Sequence, residues 1–204
     1  MKGCRPFSDE EVNLLVKSFS GRYAARDKAL FLTGVKSGFR ISELLSLTVG
    51  DVYEHGRIVE RVTVQRRHMK KKMEGRTVVL HPEAKDAIGT WLAILARYLG
   101  VDKPRDMPPE TPLFCSRVRR QDGSRRPIAR ETAWRILEAA VAANELTGKI
   151  GTHSMRKTFA NKVYNNVKHD LVRTQRALGH KNINSTVAYL SFREEDIDAA
   201  ILAA

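Results

Sequence analysis

Apolar residues recur at helical spacing through most of this chain and alternate strand-like only in one middle stretch. Ser8-Asp9-Glu10-Glu11 stands just before Val12, Leu14, Leu15 and Phe19. A serine followed three residues later by glutamate is a capping box, in which each side chain satisfies an amide that the helix start leaves open, so a helix begins near Ser8. A second helix is predicted over 25–36, stopped by Gly38, because glycine takes the left-handed cap conformation at low cost. Residues 40–47 carry apolar side chains at 41, 44, 45 and 47, a short helical face. Val and Ile then nearly alternate over 57–65, and 76–80 is a second β-like run, which predicts a hairpin with lysines 70–72 and Gly75 between its strands. Pro82 opens a long amphipathic helix through Leu99. Residues 102–112 hold four prolines and read as a loop. Leu113-Phe114-Cys115 reads as a short strand. Everything after Ala129 is helical in character, broken at 148–151 and around Gly179. The pattern predicts a mostly α domain with one small antiparallel sheet, an α+β fold. Its ordered core is expected over about 8–192, with a tail helix over 193–204 in which Ile197, Ile201 and Leu202 fall at helical spacing.

Length and charge narrow the partner. A chain of 204 residues fits one domain, or one large and one small, and 42% hydrophobic residues suffice for a core. Lys and Arg number 36 against 23 acidic residues, a net charge of +13, which favours a polyanionic partner such as nucleic acid. The densest basic runs are 66–72 and 117–126. They offer Arg66, Arg67, Lys70, Lys72, Arg119 and Arg120 as phosphate contacts, with a solvated charged surface as the plain alternative. Cys4 and Cys115 are too few for a disulfide framework or a cysteine zinc site and suit a reducing cytosol. No apolar run reaches the ~18 residues that span a bilayer, and the N-terminus lacks a signal-peptide pattern, so a cytoplasmic, nucleoid-associated protein with no membrane partner is expected. There is no Walker A motif, no H-E-x-x-H and no carboxylate cluster for a two-metal nuclease, so neither metal nor ATP is expected.

The chemistry-bearing residues gather in four places. His153 and Arg156 lie three apart on a predicted helix and so share one side of it. Arginine offers a planar fork matched to phosphate oxygens, and histidine adds a donor of tunable charge. Leu178-Gly179-His180 reads as a helix end that leaves His180 on a turn rather than in a core. Tyr189 supplies a phenol. Arg40 opens the short helical face, with Glu43 three residues on. Three of these, and the lysines, also have an ordinary reading: a solvated His/Arg pair, a packing tyrosine, a surface ion pair between Arg40 and Glu43, and a charged hairpin tip for the lysines.

Taken in order, the segments GFRISELLSL (38–47), GTHSMRKTFAN (151–161) and LGHKNINSTVAYL (178–190) change that balance. With the lysine hairpin between the first two, the chain closely resembles the catalytic domain of the tyrosine recombinases, the phage integrase family, from about Ser8 to Leu190. The resemblance implies that Arg40, Lys71, His153, Arg156, His180 and Tyr189 occupy the family's active-site positions, with Glu43 supporting the first arginine. The lysine is counted back from the strand at 77–80. Val79 stands where proline is usual, so Lys72 and Lys70 stay open as alternatives. Lys157 stands where family members often have His or Arg and is a further candidate DNA contact, and Met155 stands where they have Leu. By resemblance, Tyr189 attacks phosphorus to form a 3′-phosphotyrosine and release a 5′-hydroxyl. The arginines and His180 hold the phosphate oxygens, His153 acts as base or orienting group, and Lys71 is the leaving-group acid. The implied partner is duplex DNA bound by a homotetramer, with the tail docking on a neighbouring subunit or on its own core, and a monomer is compatible with the free state. The family's N-terminal DNA-clamping domain is absent from the sequence, leaving a trimmed piece or a short one-domain recombinase. A non-catalytic DNA-binding regulator of the same fold and a type IB topoisomerase are the rival readings.

Overall fold

The structure, a computed structural model, describes residues 3–64, 76–190 and 201–202. It divides into two compact units, Met1–Phe159 and Ala160–Ala204, with the boundary inside one helix. The fold is mostly helical with small antiparallel sheets.

The first unit opens with α1 (Asp9–Ser18), whose capping box forms as the sequence requires. Ser8 Oγ accepts from the Glu11 N–H at 3.2 Å, and Glu11 Oε2 accepts from the Ser8 N–H at 2.9 Å. Helix α2 (Ala24–Ser37) ends at Gly38, whose φ of 60° is the left-handed cap. Short helices α3 (Ile41–Leu45) and α4 (Val49–Val52) follow. Helix α5 (Pro82–Leu99) matches the predicted boundaries and packs on α2. Around this pair the core closes with Leu15, Leu44, Leu47, Ile88, Leu92, Leu95 and Phe114, all essentially inaccessible. Trp91 is fully buried, and its indole N–H donates to the Leu113 carbonyl at 2.6 Å, so the polar edge of a large aromatic is satisfied.

The strands depart from expectation. Among the described residues, three two-stranded antiparallel sheets take the place of one: β1 (Tyr53–Glu54) with β2 (Arg57–Ile58), β3 (Arg61–Val64) with β4 (Arg76–Val79), and β5 (Cys115–Arg119) with β6 (Arg125–Pro127). The alternating run at 57–65 is split because the Val59 N–H donates back to Val52 and the Leu80 N–H donates to Glu60, which turns the chain between β2 and β3. Strand β2 returns on β1 through His55 (φ 51°) and Gly56 (φ 80°), the left-handed pair that a tight hairpin turn requires. In the β3–β4 pair Val62 faces Val78 and Thr63 faces Thr77, and only the valine side is buried. The basic run at 117–126, which the sequence offers as phosphate contacts or as a solvated charged surface, falls on the β5–β6 hairpin.

Helices α6 (Arg130–Ala143) and α7 (Thr152–Asn166) follow, α7 carrying the unit boundary. In the second unit, α7 ends where Lys168 (φ 54°) and His169 (φ 63°) are consecutively left-handed. No glycine or proline announces that break, so the sequence pattern ran through it. Asp170 caps α8 (Leu171–Leu178) by accepting from the Arg173 N–H at 2.9 Å. Gly179 (φ 63°) ends α8 as predicted, and Asn182 caps α9 (Ile183–Val187). Most of the predicted tail helix, Ile197 included, lies outside the described residues, while Ile201 and Leu202 are helical and exposed. Among the described residues no helix is long and apolar enough to cross a membrane.

Candidate active site

Arg40 is the N-cap residue of α3, placed there by the turn at Gly38. Glu43, on the first turn of α3, binds it twice: Oε2 accepts from the Arg40 N–H and Oε1 from Arg40 Nη1, both at 2.8 Å. One carboxylate therefore caps the helix start and aims the guanidinium. Arg156 reaches the same group, with Nη1 3.9 Å from Glu43 Oε2 and donating to the Gly38 carbonyl. Arg156 is only 1% exposed, whereas Arg40 is half-buried. Burial pushes the Glu43 carboxyl up, but the Arg40 N–H and the Arg40 and Arg156 guanidiniums outweigh it and hold the group below the ordinary carboxylate range. Two guanidiniums from distant segments thus meet on one ionised carboxylate. A buried arginine costs heavily unless it is paired, so this arrangement differs from the solvated pair that the residues suggest separately.

His153, one turn before Arg156 on α7, is exposed. The i,i+3 spacing gives the two residues a common side, but only the arginine is enclosed. Ser154, between them, is fully buried, and its Oγ accepts from the Gly151 N–H at 3.1 Å, fixing the first turn of α7. Lys157 is half-buried.

In the second unit His180 and Tyr189 lie together, with ring centroids 5.3 Å apart and planes at 45°. The expectation that His180 sits on an open turn is corrected, because its side chain is buried at 8% exposure. Gly179 does supply the turn, but the ring folds inward, with Nδ1 3.0 Å from Thr186 Oγ1, and Thr186 is itself fully buried. The contact fixes the imidazole's orientation. Gln175 Nε2 donates to the carbonyls of His180 and Lys181, holding the turn. Tyr189 is half-buried, and its carbonyl accepts from Asn161 Nδ2 at 3.3 Å.

Lys70, Lys71, Lys72, Arg66 and Arg67 lie outside the described residues. Arg119 belongs to β5 and pairs with Arg125, and Arg120 is exposed at the hairpin turn, where its N–H donates to the Ser124 carbonyl at 2.8 Å. Arg125 is used internally, donating to the Ser116 and Arg117 carbonyls. Among the described residues no group of three or more His, Cys, Asp or Glu is placed to hold a metal ion.

Sequence reasoning overlooked Thr186, Asn161 and Arg76. For Arg76 there was a signal: it lies two residues before the buried Val78 on β4 and so on the strand's inward face, an unusual place for a charge. It donates to the Ser37 carbonyl at 2.8 Å and the Gly38 carbonyl at 3.1 Å.

The profile of the phage integrase family matches residues 6–195. The probable integrase/recombinase YoeC of Bacillus subtilis is 33% identical over 91% of this chain and 88% of its own length. The tyrosine recombinase XerD of Chlamydia trachomatis is 30% identical over 93% of this chain and 58% of its own. Most of the curated relatives are longer, and the chain spans about half of several of them. Among solved structures, XerH bound to a palindromic difH substrate in a post-cleavage complex aligns with TM-score 0.72 at 24% identity, covering 96% of this chain and 51% of that one. The XerA recombinase aligns with TM-score 0.71 at 21% identity, covering 98% and 65%. These likenesses are to the fold of recombinase catalytic domains.

Proposed function

This chain belongs to the phage integrase family, and on that premise we propose that it is a site-specific DNA recombinase that cuts and rejoins duplex DNA through a covalent 3′-phosphotyrosine. The observation that carries the reading is the convergence of Arg40 and Arg156 on Glu43 and the Gly38 turn. Cleavage of a phosphodiester builds charge on the non-bridging oxygens, and two guanidiniums fixed beforehand stabilise it without reorganising. His180, oriented by Thr186, adds a third donor. Tyr189 Oη attacks phosphorus as the 5′-oxygen departs, so a P–O bond to tyrosine replaces the P–O bond to the 5′-carbon's oxygen. A free phenol has a pKa of about 10 and must lose its proton near neutrality, a task for His153 as base or orienting group. Lys71 protonates the departing 5′-oxygen. The phosphotyrosyl bond keeps the energy of the broken one, so rejoining uses neither metal nor ATP. The partner is duplex DNA, and the working assembly is a homotetramer on DNA in the cytoplasm; in support, XerH is bound to a palindromic difH substrate and the Tn1549 transposon integrase to circular intermediate DNA.

The test is a nicked suicide substrate carrying candidate sites from the repeats that flank the native locus. A covalent protein–DNA adduct on denaturing gels is expected from the wild type and none from Tyr189→Phe. An adduct that persists in Tyr189→Phe refutes the nucleophile. Salt-sensitive binding with no adduct on any site refutes the enzyme and favours a regulator, and relaxation of plasmid without sequence preference favours a topoisomerase.

A further inference from the structure

We infer that Arg76 is a positioning residue for the arginine pair, its guanidinium clamping the Ser37 and Gly38 carbonyls and so fixing the turn from which Arg40 projects and against which Arg156 rests. The inference rests on the proposed strand-cleavage reading and adds a residue that the sequence motifs do not contain.

Three observations meet at this turn. Gly38 is left-handed, and its carbonyl accepts from both Arg76 and Arg156, so two arginines from distant segments bind one acceptor. Arg76 also takes the neighbouring Ser37 carbonyl, the last of α2, which has no partner within its own helix. The guanidinium lies 5.3 Å from the Phe39 ring and 5.8 Å from the Phe159 ring, between residues on either side of the turn and the helix that carries Arg156. A planar fork can span two adjacent carbonyls, whereas a lysine ammonium is a single point charge.

The electrostatics show why such a residue needs a reason to be here. Burial, then the positive charge of Arg156, with Glu43 opposing and Arg40 adding, pushes the Arg76 guanidinium down to about 9. A third cation beside the other two costs the fold unless it does something there. Binding the two carbonyls accounts for the position, because it adds to the Arg156 contact on the Gly38 carbonyl, to Gly38's own amide, which donates to Gly34, and to the Ser37 hydroxyl a clamp that takes the Ser37 carbonyl as well. Arg76 acts through the turn. It is not assigned a contact with DNA.

Two measurements on the full chain decide this, using Arg76→Met, which keeps the stem, and Arg76→Lys, which keeps the charge. The first is single-turnover cleavage at saturating suicide DNA, with DNA affinity measured separately. The expected result for Arg76→Met is a rate lower by ten- to a hundredfold with affinity changed less than threefold, and only partial recovery in Arg76→Lys. An unchanged rate overturns the proposal. A loss of affinity as large as the loss of rate makes Arg76 a phosphate contact and also overturns it. Full recovery in Arg76→Lys shows that charge alone matters and does the same. The second is amide hydrogen exchange over residues 37–43 with thermal melting. Faster exchange confined to this segment at an unchanged melting midpoint is expected. Unchanged exchange overturns the proposal even if the wild type forms no adduct, a result that would instead sink the recombinase reading. A global fall in the melting midpoint of Arg76→Met with normal exchange in the folded Arg76→Lys assigns only a general structural role.

Discussion

Glu43 shows how one side chain converts two mutually repelling cations into a pair. Its carboxylate caps α3, binds Arg40 at 2.8 Å and sits 3.9 Å from Arg156. Glu43→Gln keeps the shape but removes the charge, leaving two guanidiniums without their counter-ion. The expected outcome is destabilisation by about 1–3 kcal/mol in denaturant titration and a fall in cleavage rate larger than the fall in DNA affinity. The same group sets a pH dependence. Its folded pKa lies below its unfolded value, so the folded state binds fewer protons there. The stabilisation is complete above the ordinary carboxylate pKa of about 4.3 and fades as pH falls through the lower folded value. Thermal melting from pH 6 down to pH 3 checks this, and Glu43→Gln should flatten the acid limb. At Arg156 the fork itself matters, since a point charge cannot bind an oxyanion in two places. Arg156→Lys should lower single-turnover cleavage by about 10²-fold, the usual effect of losing one preorganised donor.

The elements that carry these residues are fixed by local chemistry at their ends. Gly38 stops α2 and starts the approach to Arg40, and a Cβ built there would lie 2.2 Å from Phe159 Cδ1. Gly38→Ala therefore meets both a left-handed φ and a blocked space. A loss of more than about 1–2 kcal/mol is expected, with Arg40 displaced and cleavage reduced, readable by melting and by the adduct assay. Ser8→Ala, by contrast, removes the contacts of Ser8 Oγ with the Glu11 N–H and the Glu10 carboxylate at the start of α1. It should cost about 1 kcal/mol with cleavage of the folded protein unchanged. Element ends with a chemical marker, such as Ser8, Gly38, Pro82 and Gly179, were legible in the sequence. The break at Lys168-His169 was not, because non-glycine residues adopt φ values of 54° and 63° there only under the constraint of their surroundings. The split of the alternating run into β2 and β3 was hidden for a similar reason. Alternation reports which face is buried and not which strand provides the partner.

For the chain as a whole, charge and order of motifs carry the function and contacts across long sequence separations carry the geometry. A net charge of +13 predicts DNA binding that weakens steeply with salt, with log affinity falling linearly in log salt concentration. Fluorescence anisotropy between 50 and 200 mM NaCl should show at least a tenfold loss, and Arg120→Ala should make the slope shallower by about one if that exposed side chain meets a phosphate. The family, the helical character and the capped ends could be read from residue types, spacing and the resemblance carried by the ordered motifs, because each depends on neighbours within a few positions or on the order of motifs; the same motifs put forward Arg40, Glu43, His153, Arg156, His180 and Tyr189 as candidates. Burial of Arg156 beside an exposed His153, the inward turn of His180 onto Thr186, and the presence of Arg76 at the Gly38 carbonyl could not. Those depend on which segments fold against one another, and a one-dimensional pattern specifies that a face is apolar or charged without specifying what it meets.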